Sequence, residues 1–378
     1  MANNQIPITP GLVTWGRVRA GLSVAEIAQK FPRIEEWEQG KSFPTYPQLE
    51  AMAEAFRLPV AVFFFPEPPD VPAIAETFRT LPEAEYERLP SAILLLLRKA
   101  KALQLNLAEM TDGHNPAKRL ITRDLALDLK QPVSKLARQV RTYLGVTIEQ
   151  QQAWADDDAA LKGWRDALQA VGIFVFKDAF RQDDFSGFCL YDEIFPVIYV
   201  NNSSSKTRQM FTLLHELAHL LFHTSGIDTL SDEFIANLDD EKQAIEVRCN
   251  AFAAAFLVPE DAFDQAVNGR VASEALAEEM ASSFHVSREF VFRRFLDRGQ
   301  ITTAAYADAA KRWAAQQKKG KGGDYYRTKL TYLGRGYVGL ALRQYHRNVI
   351  DEEQLGEYLD TKPRNLQTLE DYFAEGVA

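Results

Sequence analysis

Cysteine is scarce in this sequence, and its scarcity excludes two kinds of protein. The 378 residues include only two cysteines, Cys189 and Cys249. Two thiols cannot form a disulfide framework or a zinc module built from cysteine ligands, and so few cysteines are typical of a reducing compartment. We therefore interpret both residues as buried, inert thiols.

Long apolar runs are also absent. The most apolar run, from Ile93 to Leu97, is far too short to cross a bilayer, and the N-terminus has no basic segment followed by an apolar one. These features predict a cytoplasmic protein that makes no contact with a membrane.

Positive charge is not in excess either. The net charge is -9 and the isoelectric point is near 5.4, so the chain as a whole has no attraction for the phosphate backbone of a nucleic acid. A DNA-binding role would therefore need a local basic patch.

The length, in contrast, exceeds what one hydrophobic core usually organises, so we expect several domains. Prolines between Pro66 and Pro72 cannot continue a helix and predict a linker. Three runs rich in β-branched and aromatic residues, GIFVFK, SGFCLY and PVIYVNN, predict a small sheet. Helical patterns follow the sheet at 203–223, 241–257 and 272–298. The predicted class is α+β, a mainly helical multidomain chain with a small β-sheet.

Three of the six histidines lie within nine residues, in the segment LLHELAHLLFH. His215 and His219 form an H-E-x-x-H pattern, which on a helix places both imidazoles one turn apart on the same face. Zinc suits such a pair because it accepts imidazole nitrogen and carboxylate oxygen and keeps one position open in catalytic sites. Manganese or iron could use the same ligands. Glu216 would accept a proton from the attacking water and pass it to the leaving amine.

A chance match on an amphipathic helix is the alternative to a metal site. The leucines around the two histidines predict a buried helix, where ionisable side chains need partners such as a metal. The pattern and its setting together favour a metal.

A tetrahedral site needs a third protein ligand, and two residues compete for that role. His223 follows one turn later, where its angular offset from His215 makes chelation from a single straight helix awkward, so it is better suited to support the ligands. Glu246 lies on a second predicted buried helix whose small residues allow close approach to the first helix. A carboxylate there would be costly without a partner.

These residues resemble the ImmA/IrrE-type zinc metallopeptidases that carry an N-terminal XRE-like helix-turn-helix module. The resemblance rests on two segments, Asn202 to His223 and Glu246 to Pro259, and extends to GLSVAEIAQKF, WEQGKSFPT and VSREFVFRRFLDRG. It implies a zincin-like metallopeptidase domain with bound Zn2+ and Glu246 as third ligand. Members of this family typically cleave a partner repressor or release it from DNA, and others pair with toxins as antitoxins.

Four regions follow from these patterns. They are an XRE-like helical module at 1–68, a helical connector at 69–150, the zinc metallopeptidase domain at 151–265 and a helical C-terminal domain at 266–378.

The N-terminal module departs from the XRE pattern. Only eight residues separate Ala28 from Trp37, so the recognition helix is about one turn short. The remaining segment carries Glu35, Glu36 and Glu38, whose charges would be repelled by phosphate, where a reading helix needs arginine, asparagine or glutamine. DNA binding is therefore disfavoured, and an interaction or dimerisation role is preferred.

Two features of substrate recognition stay open. The oxyanion of the tetrahedral intermediate needs a second electrophile, and His223, Tyr199 or Arg208 could serve. The PVIYVNN segment could be an edge strand that pairs with an extended peptide, or an ordinary internal strand.

Three functions are compatible with these residues. The first is a zinc-dependent endopeptidase that cleaves a specific cytoplasmic regulatory protein, such as a repressor. The second is an antitoxin or regulatory protein of a toxin-antitoxin or phage-defence pair, which masks its partner with the zincin fold as scaffold. The third and weakest is a DNA-binding repressor. No pattern in the sequence indicates the oligomeric state or the identity of the protein partner.

Overall fold

The computed structural model describes residues 5–56, 58–69, 89–125, 127–128, 130–182, 184–224, 227–229, 240–316 and 323–376, with the backbone alone at 227–229 and 240–242. The chain divides into two compact units, Met1–Lys99 and Ala100–Ala378. Helices predominate and one small mixed sheet is present, so the predicted α+β class is confirmed. None of the described helices is both long and apolar enough to span a bilayer.

The division into four regions stays a prediction. Its first boundary, after residue 68, adjoins residues 70–88, which lie outside the described part of the chain together with Pro72 of the predicted linker.

The first unit opens with short helices around an apolar core. The large side chains Trp37, Phe56 and Phe63 are almost fully buried at its centre. Ser23 caps the second helix by accepting a hydrogen bond from the Glu26 backbone N–H, and Glu26 reciprocates. The elements are α1 (Pro10–Arg19), α2 (Val24–Ala28), α3 (Ile34–Glu38), α4 (Tyr46–Phe56) and a 3₁₀ turn (Val60–Phe64).

The helix α3, predicted to be short, has only five residues. Two of its carboxylates are engaged within the module. Glu36 accepts hydrogen bonds from Arg33 and from the Ser42 hydroxyl, and Glu38 forms an ion pair of 2.6 Å with Arg17. These acidic side chains stabilise the module itself, and the expectation that DNA binding by it is disfavoured stays a prediction.

From residue 91 onward the chain is a series of helices interrupted by one sheet. Before the sheet lie α5 (Ser91–Met110), α6 (Ile121–Asp124), α7 (Val133–Leu144), α8 (Ile148–Gln152) and α9 (Asp157–Ala170). The sheet region comprises β1 (Phe174–Asp178), β2 (Phe185–Leu190), β3 (Val197–Asn201), α10 (Lys206–Leu221) and β4 (Ile227–Thr229). After it come α11 (Asp240–Leu257), α12 (Glu260–Val267), α13 (Glu274–Phe284), α14 (Arg288–Asp297), α15 (Thr303–Ala315), α16 (Tyr325–Leu333), α17 (Arg335–His346), α18 (Glu352–Tyr358), a 3₁₀ turn (Pro363–Asn365) and α19 (Leu366–Ala374).

The three predicted strands are confirmed, and their order decides one open question. The sheet runs β1-β3-β2-β4, with β3 parallel to β1 and antiparallel to β2. Strand β3, which carries PVIYVNN, is therefore internal, and the edge-strand interpretation of that segment is wrong. Within the described residues the outer strands are β1 and β4.

The helical pattern predicted at 272–298 is confirmed, and two helices occupy that range. His285 ends α13 in a left-handed conformation with φ of 55°, and the Ser287 hydroxyl then caps α14. A left-handed residue cannot continue a right-handed helix, so the chain turns there.

Helix α10 packs closely on one face of the sheet because of a glycine. A Cβ atom at Gly187 on β2 would lie 2.5 Å from Thr212 Cγ2 on α10 and 2.9 Å from the Tyr199 carbonyl oxygen, so only glycine fits. Ile198 and Val200 of β3 join the same core as the leucines of α10. The strand alternation places Tyr199 on the opposite face.

Candidate metal centre

Helix α10 holds the two histidines in a fully buried setting. The Ser205 hydroxyl caps the helix, and its leucines pack into the core of the unit. His215 and His219 are at most 2% exposed, and their Nε2 atoms are 3.1 Å apart. The i, i+4 spacing therefore brings the two imidazoles together on one face of the helix, as the sequence predicted.

Helix α11 brings the third group to the same point. Glu246 Oε2 lies 3.2 Å from His215 Nε2, and Glu246 Oε1 lies 3.2 Å from His219 Nε2. The three side chains offer ligand atoms that all lie within 4.8 Å of one another. The metal cluster, His215, His219 and Glu246, is thus assembled from two neighbouring helices.

The remaining ring nitrogens are held by two further side chains. His215 Nδ1 lies 3.0 Å from Asn250 Oδ1, and His219 Nδ1 lies 3.2 Å from Thr224 Oγ1. Because the Thr224 hydroxyl donates to the His219 carbonyl oxygen, its oxygen accepts the hydrogen of His219 Nδ1. Asn250 and Thr224 therefore keep both rings protonated at Nδ1 and leave both Nε2 lone pairs directed at the cluster.

This donor set fits a zinc ion. In this tautomer the two Nε2 lone pairs and the Glu246 carboxylate are acceptors that repel one another at about 3 Å unless a cation lies between them. Ligands about 2.0–2.1 Å from a tetrahedral zinc are about 3.3 Å from each other, close to the separations of 3.1 and 3.2 Å here. Two imidazoles and a carboxylate also leave a fourth position for water.

The electrostatics of Glu246 agree with a ligand role. Burial raises its pKa, but hydrogen bonds and charge from the two histidines, when a proton on Nε2 takes the place that the metal would take, outweigh burial and hold the pKa well below its usual range. The carboxylate is therefore ionised, as a metal ligand must be.

Glu216, the candidate proton acceptor, follows His215 on α10 and is fully buried. Its position next to a ligand on a rigid helix fits the role of a group that removes a proton from water.

The other candidates are not brought to the cluster by the structure. The His223 ring does not continue α10, because the helix ends at Leu221 and His223 is left-handed with φ of 58°. Its ring is exposed and lies 5.0 Å from the Tyr191 ring. Its predicted placement one turn along the helix is therefore wrong.

Tyr199 and Arg208 are engaged elsewhere. Tyr199 lies on the sheet face away from α10, stacked on Phe188 at 5.1 Å, and its hydroxyl lies 3.4 Å from Asp178 Oδ2. Burial raises its pKa well above the usual value, so it stays protonated. The Arg208 guanidinium donates to the Ser186 hydroxyl of β2 at 3.0 and 3.2 Å. Neither residue is shown at the reacting centre.

Sequence reasoning missed Asn250 and Thr224. Asn250 lies four residues after Glu246, on the same face of α11, and this spacing was a usable signal. Thr224 lies past the end of α10, so only the turn of the chain there brings its hydroxyl to His219.

Comparison with known proteins agrees with this site. Residues 168–296 match the family described as the IrrE N-terminal-like domain, a family of peptidases. Over 80 residues the chain is 36% identical to the radiation response metalloprotease IrrE of Deinococcus deserti. That match covers 20% of this chain and 26% of the relative. The chain therefore spans about a quarter of the relative's length. Residues 168–296, which hold the metal cluster, are thus similar to the IrrE-type metallopeptidases, and this similarity supports a peptidase domain.

Proposed function

We propose that this chain is a zinc-dependent endopeptidase that cleaves a specific regulatory protein in the cytoplasm. The convergence of two buried imidazoles and the partly buried Glu246 carboxylate, with Glu216 next to His215 on the same helix, is the observation that carries this proposal. The match of residues 168–296 to the IrrE N-terminal-like domain and the similarity to a metalloprotease over 80 residues support it.

The roles of the side chains follow from their positions. When bound, zinc supplies a Lewis acid that polarises the scissile carbonyl and makes water a better nucleophile. Glu216 accepts the proton of the attacking water and delivers it to the leaving amine. Asn250 and Thr224 hold the rings of His215 and His219 in one orientation and one tautomer. The buried leucines of α10 keep this arrangement rigid.

A regulatory protein is proposed as the substrate because an unrestricted peptidase would be hazardous inside a cell. The resemblance to the ImmA/IrrE type supports a repressor as the class of substrate. Masking of a toxin without cleavage is the competing outcome, and it would not need Glu216.

Metal content tests the proposal first. Protein purified without added metal or chelator should contain close to one zinc per chain by elemental analysis, and the Glu246→Ala variant should lose most of it. Glu353→Ala, an exposed glutamate on α18, is the matched control and should retain zinc. Wild-type protein that is metal-free and takes up no zinc on titration would overturn the proposal.

A further inference from the structure

A second polar site lies in the same unit, outside the metal cluster. A cavity of about 300 Å³ opens between α9, β1, the start of α10 and the junction of α16 and α17. We call it the basic cavity, and five of its lining residues are cationic: Lys162, Arg165, Lys177, Lys206 and Arg335. Its volume suits a small ligand.

Lys177 is the unusual member of this set. It is only 3% exposed, and its side chain makes no hydrogen bond or ion pair within the described part of the chain, although it reaches the cavity. Burial lowers the pKa of Lys177 to about 6, and the neighbouring charges of Arg165 and Lys206 act in the same direction. An ammonium group in this position is costly unless an anion accompanies it.

Arg335 and Arg165 present further unmatched positive charge. Arg335 Nη2 donates to the Phe373 carbonyl oxygen and the guanidinium lies 4.5 Å from the centroid of the Phe373 ring, whereas its Nη1 is buried and has no hydrogen-bond partner among the described residues. Arg165 is held in place by hydrogen bonds to the carbonyl oxygens of Thr331 and Val175, at 2.9 and 2.7 Å. Neither guanidinium is neutralised by a carboxylate within the described chain.

The acidic residues of the cavity are already used. Asp158 forms an ion pair of 2.8 Å with Lys206, and Asp166 forms one of 2.6 Å with Lys162. Both carboxylates are more than half exposed. The positive charge of the interior that no carboxylate pairs with therefore rests on Arg165 and Arg335, and an anion bound beside them would favour protonation of Lys177.

A wider concavity of about 810 Å³ continues from this cavity and shares Lys162, Asp166, Gln169 and Arg335 with it. It adds three more cationic residues, Lys118, Arg119 and Arg343, and the apolar ring of Phe373. Such a concentration of positive charge in a chain of net charge -9 marks a place that attracts anions.

We propose that the basic cavity binds a small ligand that carries at least two phosphate groups, such as a nucleoside diphosphate. One phosphate would lie between Lys177 and Arg335, and a second in the wider concavity. A phosphate oxygen supplies the acceptor that the Lys177 ammonium and Arg335 Nη1 lack. A small ligand is favoured over a nucleic acid strand because the critical donors are recessed in a cavity rather than spread over a surface.

This site is distinct from the metal cluster. Lys206 begins α10, and His215 follows nine positions later, or about 13 Å further along the helix. The inference therefore does not depend on the proposed peptidase activity, and either can fail without the other.

Calorimetric titration with inorganic pyrophosphate at constant ionic strength tests the proposal. Wild-type protein should bind it saturably at one site per chain. Lys177→Met and Arg335→Gln should each weaken binding about tenfold or more, the effect of losing a charged hydrogen bond. Lys135→Met, an exposed lysine on α7, is the control and should bind like the wild type.

Two further titrations decide between this site and other sources of binding. The His215→Asn variant should bind pyrophosphate as the wild type does, and loss of binding there would place the anion on the metal and overturn the proposal. Equal affinity in Lys177→Met, Arg335→Gln and Lys135→Met would also overturn it. So would binding of a single-stranded oligonucleotide in place of pyrophosphate.

Discussion

The metal cluster and the basic cavity lie in one unit and are built in opposite ways. The metal cluster directs acceptor atoms of His215, His219 and Glu246 at one point, and Asn250 and Thr224 fix the rings. The basic cavity instead directs donors inward. Its Lys177 and the Nη1 atom of Arg335 have no partner within the described residues.

The two sites also differ in how the chain assembles them. The residues of the metal cluster lie on two helices, α10 and α11, and within 32 residues of the sequence. The lining of the cavity and its wider extension comes from segments between Pro116 and Phe373. A site whose residues lie on helices close together in the sequence can be predicted from residue spacing. A site assembled from distant segments cannot.

The largest expected effect is a loss of peptidase activity without a loss of bound metal. Glu216→Gln removes the proton acceptor, so peptidase activity should fall by about 10²–10⁴-fold, while zinc content and folding are retained. Cleavage of a partner protein that co-purifies with the chain, followed by gel electrophoresis and mass spectrometry, measures this. Undiminished cleavage by Glu216→Gln would refute the proton-transfer role. A partner that is bound equally by both proteins but cut by neither would favour the masking function.

The next effect tests the groups that support the metal cluster. Asn250→Ala removes the acceptor at His215 Nδ1, so zinc affinity should fall by about 10–100-fold. Competition with a fluorescent chelator measures the affinity. Asn250→Asp keeps an oxygen in the same place and should restore most of the affinity. An unchanged dissociation constant in Asn250→Ala would show that the hydrogen bond does not orient the ring.

The corresponding test of the basic cavity uses the pH dependence of stability. The pKa of Lys177 falls from an ordinary 10.5 to about 6, through burial and then the charges of Arg165 and Lys206, with Asp158 opposing. Between these values the unfolded chain holds a proton that the folded chain lacks. This group therefore makes stability rise with pH, by at most about 1.4 kcal/mol per unit.

Lys177→Met removes that dependence. The variant should be more stable than the wild type near neutral pH, and its advantage should shrink as pH rises toward 10. Urea denaturation at several pH values measures the two free energies of unfolding. A constant difference between wild type and variant across this range would contradict a buried lysine with a lowered pKa.

The smallest expected effect concerns the far face of the sheet. Tyr199→Phe removes a hydroxyl that lies 3.4 Å from Asp178 on the face away from α10. Zinc content and the rate of cleavage should stay within about twofold of wild type (a difference of about 0.4 kcal/mol), because this hydroxyl lies on the far side of the sheet from the metal cluster. A loss of turnover without a loss of zinc would instead support the prediction that the Tyr199 hydroxyl stabilises the oxyanion.

Sequence reasoning reached most of the metal cluster because helix periodicity is local. The H-E-x-x-H spacing requires His215 and His219 to share a face once the segment is helical. Glu246 could be predicted as a ligand because it lies on a second predicted helix whose small residues allow close approach to the first helix. The placement of His223 failed because α10 ends before it and a left-handed residue redirects the chain there.

The sequence by itself determined the strands, the principal helices and the zinc-binding spacing, since alternation and 3.6-residue periodicity act over a few neighbouring residues. Only the tertiary structure decided that β3 is internal, that Tyr199 lies on the far face, and that Lys177 is buried beside Arg165 and Arg335. Strand order and cavity lining depend on contacts between segments far apart in the chain, and no local pattern carries that information.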